Sequence, residues 1–316
     1  YIGTDNSADP VRKVNKTNLT NDTVSTLTFW NVLGICGDST NLYVVSRKTE
    51  DYLVITKLGI TTNLPFVSDN VLINSKYSNL PLVVFGTNVI GNLITDKLYL
   101  FWSNDNKIDV IDTFLIWADE FTLSQPSKTD MFSPRSITGD DNYLYVCDYL
   151  NDRIIKANKS TLNPEYLFTK EYIKKPYAIC TDNIYLYFIA FDEINYEFVM
   201  VKLKNDLSLD TIKPIKEIVG FPDIPSTMCY DKTSKYLYLI GTNTIWELDD
   251  KFNVIRSYSF SNSYMKEPTG CWSNGTFLYV INRGYFGTNY EVTGIRLTTW
   301  NINTRIVGGN LIQQYG

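Results

Sequence analysis

PRSITGDDNYLYVCDYLNDRIIKAN, residues 134–158, holds three short runs of Ile, Val, Leu and Tyr separated by the polar clusters GDDN and DYLND. Runs of four to six such residues between Asp, Asn and Gly clusters read as antiparallel strands joined by tight turns. The same grammar recurs in LGICGDSTNLYVV (33–45), PYAICTDNIYLYFI (176–189), PSTMCYDKTSKYLYLI (225–240) and PTGCWSNGTFLYVI (268–281). GNLITDKLYLFW (91–102) fits with a shortened turn, and the opening YIGTD resembles the second strand alone.

A Leu-Tyr pair marks the second strand at Tyr43, Tyr99, Tyr145, Tyr187, Tyr238 and Tyr279, with Tyr1 as a seventh member. A third strand follows each, ending at Asn15, Gly59, Asp112, Asn158, Lys204, Asp249 and Asn301. The repeat is therefore about 45 to 50 residues long, the length of a four-stranded propeller blade. One such sheet cannot bury both of its faces, so the repeats must stack on one another, and a ring leaves only short edges. No stretch keeps a 3.6-residue apolar period with caps, so helices should be scarce. The expectation is an all-β propeller of four-stranded antiparallel blades occupying 1–316 as one domain. Seven blades are preferred and six are the alternative. The first copy lacks its inner strand, which the tail Leu311 to Tyr315 would supply by pairing the two ends of the chain.

These repeats resemble the NHL and YVTN class of β-propeller repeats, through KIDVIDT at 107–113 for the YVTN core and the 134–158 stretch for an NHL repeat. The resemblance covers essentially the whole chain. It implies architecture far more than activity, because that class includes binding modules, lyases, hydrolases and scaffolds.

Composition narrows the activity. The 316 residues are 44% apolar and contain no histidine. That count excludes Ser-His-Asp and Cys-His nucleophiles, imidazole bases and His-ligated metals. Within the resemblance it also disfavours the propeller lyases and quinone-dependent dehydrogenases, which rely on histidine. With 29 basic and 34 acidic residues the formal charge is -5, without a clustered basic run, so nucleic acid is not an expected partner. Apolar stretches such as Leu98 to Trp102 fall far short of the roughly 18 residues that would span a bilayer, so membrane insertion is not expected.

Two columns invite a chemical reading. Cys36, Cys180, Cys229 and Cys271 are placed at one inner-strand position, with Thr138 in another repeat. Cysteines at one level of neighbouring inner strands should stand too far apart to pair, so they read as small buried packing residues. Asp38, Asp140, Asp182 and Asp231, with Asp96 nearby, are either oxygen ligands for calcium or the turn residues that every hairpin needs. The turn reading is the simpler one. Sequons at Asn15, Asn18, Asn21, Asn158 and Asn274 permit glycosylation without arguing for it.

The loops joining second to third strands, and those joining blades, share one face. Arg47, Asn104, Arg135, Asp148, Tyr149, Tyr177, Asp192, Arg283 and Tyr285 are the candidate ligand-binding residues there, a mixed polar and aromatic rim suited to a protein or a glycan. The function expected is a non-catalytic binding module without a cofactor. Two alternatives stand beside it. One is a calcium-dependent hydrolase or lactonase resembling the senescence-marker and strictosidine-synthase-like propellers. The other is a scaffold subunit of a larger assembly. A start at Tyr1 rather than Met leans towards an extracellular, surface or virion setting, and the cysteine usage leans the other way.

Overall fold

The computed structural model describes residues 31–309 apart from 38–40, 50–51, 60–65, 75–88, 95–96, 103–106, 113–116, 123–133, 162–163, 221–223, 261–267 and 284–288. Within them lie six four-stranded antiparallel sheets. Blade 1 comprises β1 (Asn31–Gly37), β2 (Asn41–Thr49), β3 (Tyr52–Gly59) and β4 (Phe66–Asn74). Blade 2 comprises β5 (Val89–Ile94), β6 (Lys97–Trp102), β7 (Lys107–Asp112) and β8 (Trp117–Thr122). Blade 3 comprises β9 (Pro134–Gly139), β10 (Tyr143–Asp148), β11 (Arg153–Asn158) and β12 (Pro164–Thr169). Blade 4 comprises β13 (Ile173–Thr181), β14 (Tyr185–Asp192), β15 (Glu197–Lys204) and β16 (Leu209–Pro214). Blade 5 comprises β17 (Thr227–Asp231), β18 (Tyr236–Ile240), β19 (Thr244–Leu248) and β20 (Val254–Ser259). Blade 6 comprises β21 (Pro268–Ser273), β22 (Phe277–Arg283), β23 (Asn289–Arg296) and β24 (Asn301–Gly309).

The first strands β1, β5, β9, β13, β17 and β21 follow one another round an axis, and β21 lies against β1. A Cβ added to Gly270 of β21 would stand 3.7 Å from Ile35 Cγ2 of β1, so the last blade packs on the first. The described residues thus form six blades. The seventh copy, around Tyr1 and VRKVN, and the proposed closing tail Leu311 to Tyr315 lie outside the described residues.

Burial follows from position in the blade. The middle strands β10 and β11 are buried almost end to end, since neighbouring blades cover both faces, which is why they read as apolar runs rather than alternations. The outermost strand β20 is exposed along its whole length.

The repeated tyrosine is buried between blades wherever its side chain is described. Tyr43, Tyr145, Tyr187 and Tyr238 are essentially inaccessible to solvent. Tyr145 donates its hydroxyl proton to Asp140 Oδ2 at 2.7 Å, and Tyr187 donates to Asp182 Oδ2 at 2.8 Å. The other oxygen of each aspartate closes the hairpin: Asp140 Oδ1 accepts the N–H groups of Asn142 and Tyr143, and Asp182 Oδ1 those of Ile184 and Tyr185. Burial first, and then the hydrogen bond to aspartate, push both phenol pKa values upward.

Lysines on the third strand stitch blade to blade. Lys202 sits opposite Tyr187, places its ammonium 3.9 Å from the Tyr185 ring centre, and donates to Asp250 O of blade 5 at 3.1 Å. Lys156 does the same beneath Tyr143, at 4.0 Å, and donates to Asn205 O of blade 4. The accepting turns also return a side chain. Leu207, Phe252 and Trp300 hold left-handed backbone, with φ of 65°, 64° and 57°, at the turn after the third strand of blades 4, 5 and 6. All three are buried against the preceding blade, Leu207 in the cluster of Tyr145, Phe252 at 6.1 Å from Tyr187 and Trp300 at 6.2 Å from Tyr238. Two aromatic residues at positive φ carry a backbone cost that the burial of their rings offsets.

Candidate functional site

Residue Tyr177 shows how the loop-face mouth is assembled. In four blades a proline stands at or near the start of the first strand, at Pro134, Pro176, Pro225 and Pro268. The residue after proline reaches the next blade: Tyr177 donates its hydroxyl proton to Pro225 O at 2.8 Å, and Ser226 donates to Pro268 O at 2.6 Å. Arg135 occupies the same place in blade 3 but stays exposed, its guanidinium carbon 4.9 Å from the Tyr149 ring centre. Burial and the nearby Tyr149 raise the Tyr177 phenol pKa, so that hydroxyl is a committed donor and the ring edge is what remains to offer.

From Tyr177 an aromatic run crosses blade 4. Its ring meets Phe198 edge-on at 6.0 Å, Phe198 meets Phe191 at 5.4 Å, and Phe191 meets Tyr196 at 6.5 Å. Tyr196 ends the run 82% exposed, at φ 53° on the hairpin turn between β14 and β15. That left-handed position favours Asn or Gly, and a bulky ring held there in solvent is strain without burial to offset it. Leu150 on the neighbouring blade 3 turn is 68% exposed and Ile194 is 69% exposed. Ile224, on the connection between blades 4 and 5, is also exposed.

The turns that display these tips are internally locked. Asp148 pairs with Arg153 at 2.8 Å and accepts from Asn151 Nδ2 at 2.9 Å. Asp192 accepts the N–H groups of Ile194 and Asn195 and also Asn195 Nδ2 at 3.0 Å. Asp152 Oδ1 accepts the N–H of Lys175 and Oδ2 pairs with Lys174, tying blade 3 to blade 4.

The nine residues expected at this face therefore separate. Arg135, Tyr149 and Tyr177 come together at the mouth. Asp148 and Asp192 are buried and hold turns, so they position neighbours rather than face a ligand. Arg47, two residues before the end of β2, and Arg283, the last residue of β22, lie towards this face, paired in the sheet with Leu53 and Tyr290. Asn104 and Tyr285 lie outside the described residues. Leu150, Ile194, Phe191 and Phe198 were not among the expected set. The signal for Leu150 and Ile194 is an apolar residue inside an otherwise polar turn, as in D-Y-L-N and D-E-I-N.

The aspartate column is engaged elsewhere. Asp231 Oδ1 accepts the N–H groups of Thr233 and Ser234, and Oδ2 accepts the Ser273 hydroxyl at 2.6 Å. With Asp140 and Asp182 bonded as described, one oxygen of each of the three closes a turn and the other accepts a hydroxyl proton. Among the described residues no three of Cys, Asp and Glu are gathered as ligands for an ion.

No protein-family profile and no curated protein sequence matches the chain. Solved structures do match it in three dimensions. A chain of a nidogen/laminin complex superposes with a TM-score of 0.60 at 15% identity, over 81% of this chain and 90% of that one. A streptogramin B lyase superposes with a TM-score of 0.53 at 13% identity, over 90% and 84% of the two chains. Hydrazine synthase of Kuenenia stuttgartiensis gives 0.54 at 11% identity, over 89% and 80%. Likeness at this level of identity is likeness of fold, and with the six antiparallel sheets it makes the chain a β-propeller.

Proposed function

We propose that the chain is a non-catalytic interaction module which engages a protein partner through the loop face of blades 3 and 4. The observation that carries this reading is the set of locked turns whose apolar tips, Leu150, Ile194 and Tyr196, point into solvent instead of into the neighbouring blade. Aliphatic tips offer nothing to sugar hydroxyls, whereas they and the adjoining aromatic run suit the apolar centre of a protein interface. Arg135 on the Tyr149 ring supplies a cation at its edge. The repeats are read as NHL or YVTN in type, forming one domain.

The test is a paired protein and glycan array probed with the parent chain and with a Leu150→Asp/Tyr196→Ala variant. The reading expects a protein ligand whose binding falls at least about tenfold in the variant, the behaviour of a hot spot. Ligands that are all glycans, or protein ligands held equally by both chains, would overturn it.

A further inference from the structure

The cysteine column has a slip in blade 6. In blades 1, 4 and 5 the column cysteine lies directly opposite the repeat tyrosine, as Cys36 opposite Tyr43, Cys180 opposite Tyr187 and Cys229 opposite Tyr238. In blade 6 the residue opposite Tyr279 is Trp272, and Cys271 pairs with Val280. A shift of one residue in a strand turns a side chain to the other face of the sheet. Column residues face the next blade, as Cys180 does in the core shared by blades 4 and 5. Cys229 accordingly faces blade 6, whereas Cys271 faces back towards blade 5. The two inner strands β17 and β21 are neighbours, and Cys271 packs against the same cluster that buries Cys229. Ser273, two residues on and on the same face, confirms the direction by donating to Asp231 of β17. Thr227 Oγ1 of β17 lies 3.9 Å from Cys271 Sγ, so Cys271 reaches the face of β17 that carries both Thr227 and Cys229.

We propose that Cys229 and Cys271 form a dithiol that closes to a disulfide between blades 5 and 6. Cys271 is the half-buried member and is the one a reagent reaches first. With glutathione disulfide as oxidant, the Cys271 thiolate attacks one glutathione sulfur, the glutathione S–S bond breaks and a glutathione thiolate leaves. The Cys229 sulfur, on losing its proton, then attacks Cys271 Sγ and expels the second glutathione thiolate. Both released thiolates take up the protons, so two protein thiols become one disulfide and one glutathione disulfide becomes two glutathiones. The adjoining Cys271 thiol, and then burial, hold Cys229 protonated, so the second step sets the rate and quickens as pH rises.

The experiment incubates the reduced full chain with glutathione disulfide at pH 8.5, counts thiols in denaturant with Ellman's reagent and maps peptides without reduction. The five thiols should fall to three, with Cys229 joined to Cys271, and the melting temperature should rise by about 5 °C for a cross-link closing a loop of this length. Cys229→Ser and Cys271→Ser should each abolish the cross-link while the chain stays folded. Phenylarsine oxide, which bridges two close thiols without oxidant, should bind once per chain and not to either variant. Five thiols retained, a cross-link between another pair, or a reaction that stops at a glutathione adduct on Cys271 would each overturn the proposal.

Discussion

The tyrosine–aspartate bonds of blades 3 and 4 can be weighed by removing one oxygen atom. Tyr145→Phe and Tyr187→Phe keep the ring in place and delete only the hydroxyl that donates to Asp140 or Asp182, at 2.7 and 2.8 Å. A hydrogen bond to a charged group contributes about 1.5–3 kcal/mol, and the cost of deletion depends on whether the abandoned oxygen can find water. Asp140 is 9% exposed, so its Oδ2 is left without solvent, and the loss should approach about 3 kcal/mol. Asp182 is half-buried and can rehydrate, which limits its loss to about 1.5 kcal/mol. At about 2.1 cal/mol/K of unfolding entropy per residue, a chain of this size should melt about 4–5 °C lower for Tyr145→Phe and about 2 °C lower for Tyr187→Phe. Differential scanning calorimetry measures both, with urea unfolding used to check that the m-value is unchanged. Equal shifts, or a larger one for Tyr187→Phe, would show that exposure of the aspartate does not govern the cost and that the hydroxyl bond is not what the repeat tyrosine contributes.

Gly275→Ala should be strongly destabilising, by about 2–4 kcal/mol, because φ there is +85° and an added Cβ would fall 2.6 Å from the Thr233 side chain of the adjacent blade; a melting temperature within 1 °C of the parent would contradict the close approach. Lys202→Met keeps the apolar stem but removes the ammonium over Tyr185 and the bond to Asp250 O, and should lower the urea midpoint by the equivalent of about 1–3 kcal/mol, whereas a solvent-facing lysine such as Lys204 should tolerate the same change. Tyr145, Tyr177, Tyr187, Tyr238 and Tyr279 all have folded-state phenol pKa values raised above the ordinary 10.0, burial being the first cause in each. Their contribution to stability is complete below about pH 10 and is lost as pH climbs towards the folded values, so alkaline unfolding should begin only above that point. Absorbance at 295 nm should show the exposed phenols ionising first and these five only together with loss of the circular dichroism signal; ionisation of all 23 tyrosines near pH 10 in a folded chain would refute it.

The blade was legible because its two strongest signals are local. A Leu-Tyr strand after an Asp turn fixes a hairpin, and six such hairpins at regular spacing imply sheets that must stack. What was not legible depended on which face a side chain takes. Cys271 aligns with the column by its neighbours G-C-W-S, yet seven residues separate it from Tyr279, where six or eight separate the column cysteine from its tyrosine in blades 1, 4 and 5, and the odd number turns it round. Asp148 and Asp192 sit at the rim in sequence but turn inward to Asn151 and Asn195, since a buried carboxylate beside a tight turn gains more from amide donors than from solvent. The inserted residues Leu207, Phe252 and Trp300 were hidden because they interrupt polar turns at positive φ, where composition suggests solvent. Blade number depended on the copy around Tyr1 and VRKVN, which lies outside the described residues.

The two faces of the ring use apolar turn residues in opposite ways, and that contrast bears directly on function. On the face made by the first and third turns of each blade, Leu207, Phe252 and Trp300 are driven into the preceding blade, and Lys156 and Lys202 reach across to turn carbonyls. Ile184 is the one large apolar residue left strongly exposed at these turns among the described residues, and a single one is ordinary. On the opposite face the turns of blades 3 and 4 are held just as firmly, by Asp148–Asn151 and Asp192–Asn195, yet their apolar residues are turned outward. Firm turns exclude the explanation that Leu150, Ile194 and Tyr196 are exposed for want of a fixed conformation. Nor does the blade itself require them, since the turns of blades 3 and 4 are closed by their Asp and Asn side chains and not by these tips. Exposing adjacent apolar tips on a rigid platform costs solvation free energy that a monomeric fold has no reason to retain, and a partner that covers them recovers it. Substitutions on the stitched face should therefore register in stability, and those at the three tips in binding alone.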